Sequence, residues 1–139
     1  MHRRPTASLA RAAVPFALGV ALLAGCASAP LPPQSAAMTP ARSADGVMVN
    51  ARSLTLYTFD QDIAGSGKST CNGDCAVKWP PLFAAVGASA TGDFSIVTRD
   101  DDRRQWAYKG KPLYTWPDDQ APGDQFGDNY LKAWRVARN

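Results

Sequence analysis

The chain has 139 residues, of which 15 are Lys or Arg, 12 are Asp and one is His, and it contains no Glu. The formal charge of +3 misleads, because three Arg lie within an N-terminal segment that we expect to be removed. The remainder is close to neutral and has no electrostatic footprint for nucleic acid. His2 is the only histidine, which excludes His-activated nucleophiles and His metal ligands. We expect neither an enzyme nor a cofactor.

The N-terminus has the features of a lipoprotein signal peptide. Positive charge in Met1–Arg4 precedes an apolar run, residues 12–24, that is too short to cross a bilayer as a stable helix. The run ends in Leu23-Ala24-Gly25-Cys26, a lipobox-like pattern in which the Cys thiol receives the lipid. We predict that residues 1–25 are removed and that acylated Cys26 attaches the protein to the membrane.

A segment rich in Pro, Ala and Ser follows Cys26. Residues 26–44 favour an extended, hydrated chain, so we predict a disordered tether. Ala27 is not the Asp that retains lipoproteins at an inner membrane, and we therefore expect an outer-membrane protein that faces the periplasm. Residues 45–139 suit one small globular domain, which would benefit from a covalent staple.

The domain sequence predicts a mostly β fold with little helix. Alternating apolar positions and turn-prone segments indicate a meander or sandwich-like arrangement of short strands. A single helical turn precedes two prolines, which cannot continue it. In chain order, the predicted elements are a strand in Ser53–Phe59, the helical turn Cys75–Trp79, and strands in Phe94–Thr98, Gln105–Tyr108 and Lys111–Trp116.

One motif occurs twice in the domain. Leu56–Asp62 returns as Leu113–Asp119, and each copy is followed by a loop and then by a Trp. We predict two similar units whose aromatic side chains pack together across a pseudo-twofold arrangement; a platform for sugars is the alternative. The motif residues are Tyr57, Phe59 and Asp62 in the first copy and Tyr114, Trp116 and Asp119 in the second, with Trp79 and Trp134 after them.

The two cysteines of the domain form a candidate staple. Cys71 and Cys75 flank a turn-prone insert in a compartment where disulfides persist. So short a loop should stabilise the fold at the low end of the roughly 2 to 4 kcal/mol typical of disulfides. The alternative is a redox couple, or a copper-handling site with Met38 or Met48 as a further ligand.

Carboxylates are concentrated in the loops that follow the motifs. An EF-hand is excluded, because Ala64 and Cys71 occupy its fifth and twelfth positions. We interpret the acidic residues as turn caps, with an irregular cation site or a glycan site as the alternative. The residues concerned are Asp60, Asp62, Asp118, Asp119, Asp124 and Asp128.

Three stretches together resemble the bacterial secreted-repeat lipoproteins of unknown function. They are the tandem Tyr-x-aromatic-x-x-Asp motif, the Cys71–Leu82 stretch and the Gly110–Asp119 stretch, and the similarity extends over about residues 45–136. The resemblance implies a lipoprotein with duplicated units and brings no established activity. We therefore predict a non-catalytic binding or structural module of the envelope. We expect it to attach to the membrane through Cys26 and not to bind nucleic acid. Its partner would be a protein or a small ligand, and the sequence does not identify which.

Overall fold

The computed structural model describes residues 39–139, so the signal peptide, Cys26 and Met38 lie outside the described residues. The mostly β prediction is confirmed, and the longest helix in this range has five residues, so no described helix could cross a membrane. The strands are β1 (Arg42–Ala44), β2 (Val47–Val49), β3 (Tyr57–Phe59), β4 (Phe94–Thr98), β5 (Arg104–Tyr108), β6 (Lys111–Pro112) and β7 (Trp134–Val136). The helix α1 spans Asp74–Lys78, and a 3₁₀ turn spans Tyr130–Lys132.

The folded domain begins earlier than the tether prediction placed it. Residues 42–44 were assigned to the tether, but they form β1 and pair with β2 in an antiparallel hairpin. Ala41 is buried in an apolar cluster with Met48. The Pro- and Ala-rich composition before the hairpin obscures two strands of only three residues each.

The predicted strands are present but shorter at two places. β4 coincides with the predicted Phe94–Thr98, and β5 begins at Arg104, one residue before the prediction. In Ser53–Phe59 only the last three residues form a strand, and Lys111–Trp116 reduces to β6 and a bridge at Tyr114. The helical turn is observed as α1, which ends before Pro80 because proline lacks the donor that the next turn requires.

The two units exchange their last segments. We define the first unit as residues 42–83 and the second as residues 94–138. Strand β7, at the end of the second unit, pairs antiparallel with β3 of the first unit. In the same way Phe83, at the end of the first unit, pairs with Gln105 of the second. Each unit therefore completes the other.

The exchange closes the first unit with a ring of three backbone hydrogen bonds. The Met48 amide donates to Ala137 at 2.8 Å, the Ala137 amide to Leu56 at 2.8 Å, and the Leu56 amide to Met48 at 2.9 Å. Because Ala137 belongs to the second unit, the ring joins both halves of the chain.

The second unit contains a matching ring. The Trp106 amide donates to Leu82 at 2.8 Å, the Leu82 amide to Leu113 at 2.9 Å, and the Leu113 amide to Trp106 at 2.9 Å. Tyr57 and Tyr114 lie between the two rings and exchange two backbone hydrogen bonds, each of 2.9 Å. The predicted pseudo-twofold arrangement is thus present, with its axis between these tyrosines.

The interior consists of two apolar clusters. The first contains the aromatic residues of both motifs and the disulfide. The second lies on the opposite face of β2 and includes Phe94 and Trp106 of the β4–β5 hairpin. The first cluster holds Val47, Val49, Tyr57, Cys71, Trp79, Tyr114, Trp134 and Val136. The second holds Ala41, Met48, Leu56, Phe94, Trp106, Leu113 and Ala137.

Candidate functional site

The motif tyrosines and aspartates form two buried pairs, and each pair crosses between the units. The Tyr57 hydroxyl of the first motif donates to Asp119 Oδ2 of the second at 2.5 Å. The Tyr114 hydroxyl of the second motif donates to Asp62 Oδ2 of the first at 2.6 Å. All four residues are at most 2 % exposed. The two copies of the motif therefore form one composite site that joins both units.

Each aspartate also fixes the loop of its own unit. Asp62 Oδ1 accepts hydrogen bonds from the Thr70 amide and the Thr70 hydroxyl, both at 2.7 Å. Asp119 Oδ1 accepts from the Phe126 amide at 3.0 Å. A single carboxylate thus closes its own loop with one oxygen and holds the partner unit with the other.

The aromatic residues stack along the same axis. Trp79 and Trp134, one from each unit, lie face to face with ring centroids 3.8 Å apart. Tyr57 meets the edge of Trp79 at 5.3 Å, and Tyr114 meets Trp134 at 5.0 Å. Gly127 is confined by this stack, because a Cβ on it would lie 2.7 Å from the Trp79 ring. The stacked rings therefore pack the two units against each other.

The remaining motif aromatics cover the stack from outside. Phe59 stacks on Trp134 with centroids 4.4 Å apart, and Trp116 lies 4.5 Å from Trp79 in a tilted arrangement. Both are half-buried. Lys78 sits over the Tyr130 ring at 4.5 Å and over Trp116 at 5.9 Å, in the cation–π range.

A buried arginine extends the Tyr114 pair. Arg99 is 1 % exposed, although it is the first of six consecutive charged residues, 99–104. Its Nη1 donates to Ser69 Oγ at 2.9 Å and to Gln105 Oε1 at 2.7 Å, and Ser69 in turn bonds the Tyr114 hydroxyl at 2.7 Å. Its Nη2 donates to the Cys71 carbonyl oxygen at 2.7 Å. The sequence analysis missed this residue, because most of its acceptors lie in residues 69–72, far away in the sequence.

The disulfide between Cys71 and Cys75 is present, with Cα atoms 5.2 Å apart. Cys71 is fully buried against the aromatic cluster, whereas Cys75 is only half-buried at the start of α1. The bond ties the loop of the first unit to the helix that leads into Trp79.

Three of the other loop carboxylates, Asp60, Asp124 and Asp128, also have partners within the domain. Asp60 forms an ion pair with Arg135 at 3.0 Å. Asp124 accepts from two backbone amides of its own turn, at 2.8 and 2.9 Å, and Asp128 accepts from the Val136 amide at 3.1 Å. Asp118 is exposed. Within residues 39–139, no three Cys, Asp or His side chains are grouped to hold a metal ion.

Burial and the crossed hydrogen bonds raise the pKa of both tyrosines above the usual value of 10.0. Desolvation of the phenolate is the largest cause in each case, and the bonded aspartate adds to it.

Stability should therefore fall in alkali. The tyrosines ionise near pH 10 in the unfolded chain but resist ionisation in the fold, so their contribution is complete below that pH and is lost above it. The loss per tyrosine is about 1.4 kcal/mol for each further pH unit. Urea unfolding between pH 8 and 11 measures it. Tyr57→Phe should lose about half of the tyrosine-dependent slope, and an unchanged slope would contradict the assignment.

These features define a class: a duplicated, disulfide-bonded β domain whose repeated motif joins its own two halves. A family model described as a secreted repeat of unknown function matches the chain twice, over residues 39–83 and 95–138. The matches cover more than half of the chain, and the protein belongs to this lipoprotein family of secreted repeats. Membership points to an extracellular or envelope location. Comparisons with curated proteins and with solved structures gave no match.

Proposed function

We propose that this protein is a lipid-anchored module of the bacterial envelope that works by binding or scaffolding and not by catalysis. The observation that carries the proposal is the crossed pairing of the motif residues. Tyr57, Asp62, Tyr114 and Asp119 are the repeated Tyr and Asp residues of the motif, and all four are buried in bonds between the two units of the domain. Such groups stabilise a scaffold, and the exposed surface is left for recognition.

The anchor is argued from the lipobox-like segment that ends at Cys26. Lipidation would hold the domain at the outer membrane, facing the periplasm, on a Pro-rich tether. Metabolic labelling with a clickable palmitate analogue tests this. The wild-type chain should carry the label in the membrane fraction, and Cys26→Ser should lose the label and become soluble in the periplasm. An unlabelled wild-type protein, or a labelled Cys26→Ser variant, would rule out this anchor.

The non-catalytic role is tested by separating folding from chemistry. Tyr57→Phe removes one hydroxyl but keeps its ring in the aromatic cluster. If the module acts as a scaffold, this variant should complement a deletion strain in proportion to its folded amount, as judged by circular dichroism and protease resistance. A folded variant that cannot complement would instead place Tyr57 in a reaction and overturn the proposal.

A second candidate is a redox role for Cys71 and Cys75. Its support is the partial exposure of Cys75, which allows a dithiol reductant to reach one sulfur of the bond. A copper-handling role would require the reduced form, because the disulfide occupies both sulfur atoms. Thiol alkylation across a series of dithiothreitol/disulfide buffers measures the reduction potential of the bond and so distinguishes a structural disulfide from a redox-active one. A reduction potential below about −300 mV fits a structural bond, and a value near −200 mV favours redox work.

A further inference from the structure

An open pocket lies between the β1–β2 hairpin and the loop that follows the second motif. Its volume is about 440 Å³, within the range of about 300 to 1,000 Å³ typical of small-molecule sites. Val47 and Val49 line it from the sheet, and Gln125 lines it from the loop. The Thr55 hydroxyl donates to the Asp124 carbonyl oxygen at 2.6 Å and holds the loop over the sheet.

The matching place in the second unit is filled by the chain itself. Val47 pairs with Arg138 in the first unit as Gln105 pairs with Phe83 in the second, so Gln105 is the counterpart of Val47. In the second unit the Arg99 guanidinium lies against this position, 2.7 Å from Gln105 Oε1. The pocket of the first unit is thus the unfilled counterpart of the Arg99 site.

The difference arises from the length of the hairpin tips. In the first unit only Asp45 and Gly46 separate β1 from β2, whereas residues 99–103 separate β4 from β5. The longer tip lets Arg99 fold back beneath the loop that follows the first motif, where it bonds Ser69 and Cys71. The two-residue tip has no side chain in the position of Arg99, and the space under the loop stays open.

The residues around the open pocket favour an anion. Arg42 pairs with Val49 and Arg138 with Val47, so both arginines share the pocket face of the sheet. They flank β2 on either side and are offset by two residues along it, so their Cα atoms are roughly 12 Å apart. Both are exposed, and within residues 39–139 neither forms an ion pair. Asp45, at the hairpin tip, is the carboxylate that lines the pocket.

We propose that this pocket binds a small organic carboxylate. Its anionic group would pair with both Arg138 and Arg42, and its apolar part would lie on Val47 and Val49. Guanidinium groups suit this role, because they bind carboxylate oxygens in a bidentate geometry. The inference deepens the proposed function, since it names a ligand class for the binding module. It does not depend on the lipid anchor.

For the test, the full-length chain is exported, purified from the envelope and titrated with hexanoate. Isothermal titration calorimetry measures the heat of binding, and NMR measures the shifts of the backbone amides. Wild-type protein should bind with a dissociation constant of about 1 mM or tighter and shift the amides around Val47. Arg138→Gln and Arg42→Gln should each weaken binding about tenfold, the equivalent of one lost charge-assisted pair. Arg103→Gln, in the hairpin of the other unit, is the matched control and should bind as the wild type does. Inorganic phosphate should bind at least tenfold more weakly than hexanoate, because it has no apolar part.

Three results would overturn the proposal. They are no saturable hexanoate binding, equal binding by Arg138→Gln and wild type, and phosphate binding as tight as that of hexanoate. If the wild-type chain carries the palmitate label but does not bind hexanoate, the carboxylate proposal is wrong and the proposed lipid-anchored module still stands. If the wild-type chain binds hexanoate but carries no palmitate label, the lipid anchor is wrong and the carboxylate proposal still stands.

Discussion

Asp119→Ala should destabilise the domain by about 2 to 4 kcal/mol, because it removes the buried acceptor of the Tyr57 hydroxyl and the partner of the Phe126 amide. The Tyr57 ring is fully buried, so water cannot replace the lost acceptor without entering the aromatic cluster. A domain of this size has a total stability of about 5 to 15 kcal/mol, so the substitution removes a large fraction of it. Urea unfolding followed by tryptophan fluorescence measures the change.

The neighbouring carboxylate provides a matched control. Asp118 is exposed and makes no side-chain hydrogen bond or ion pair among the described residues, so Asp118→Ala should change stability by no more than about 0.5 kcal/mol. If Asp118→Ala and Asp119→Ala lowered the stability equally, the loss of a negative charge would explain the effect, and the crossed hydrogen bond to Tyr57 would not.

Trp79→Ala should cost about 3 to 5 kcal/mol, the largest effect of any single substitution considered for this protein. Trp79 is 2 % exposed and contacts Tyr57, Trp116, Tyr130 and Trp134, so its loss opens a cavity at the axis between the units. The variant should unfold at lower urea and lose the near-ultraviolet circular dichroism of the stacked indoles.

An exposed aromatic residue separates this effect from a general loss of apolar surface. Phe126 is 68 % exposed, and Phe126→Ala should cost less than about 1 kcal/mol. If the two variants were equally unstable, the stacked pair would not be the centre of the core.

The sequence allowed the local elements to be predicted where their pattern is strong. β4 and β5 are short runs that contain β-branched or aromatic residues and are separated by charged residues, and two prolines limit α1. The β1–β2 hairpin was missed because strands of three residues carry too little alternation, and they follow a Pro- and Ala-rich segment.

The composition of the candidate site could also be predicted, but its pairing could not. The repetition of Tyr57 and Asp62 as Tyr114 and Asp119 identified the four groups and suggested a turn within each unit. Which tyrosine meets which aspartate depends on the exchange of end segments, and that exchange is a tertiary property with no local signal. Burial of Arg99 likewise depends on acceptors at Ser69 and Cys71, which the fold brings from a distant segment.

The central claim is that the motif pairs cross between units, and a set of double-mutant cycles tests it most directly. Tyr57→Phe and Asp119→Ala, alone and together, should give a coupling energy of about 1 to 3 kcal/mol in urea unfolding, and so should Tyr114→Phe with Asp62→Ala. The pairs within one motif, Tyr57→Phe with Asp62→Ala and Tyr114→Phe with Asp119→Ala, should be additive to within about 0.5 kcal/mol. Strong coupling within a motif and additivity between motifs would contradict the crossed arrangement.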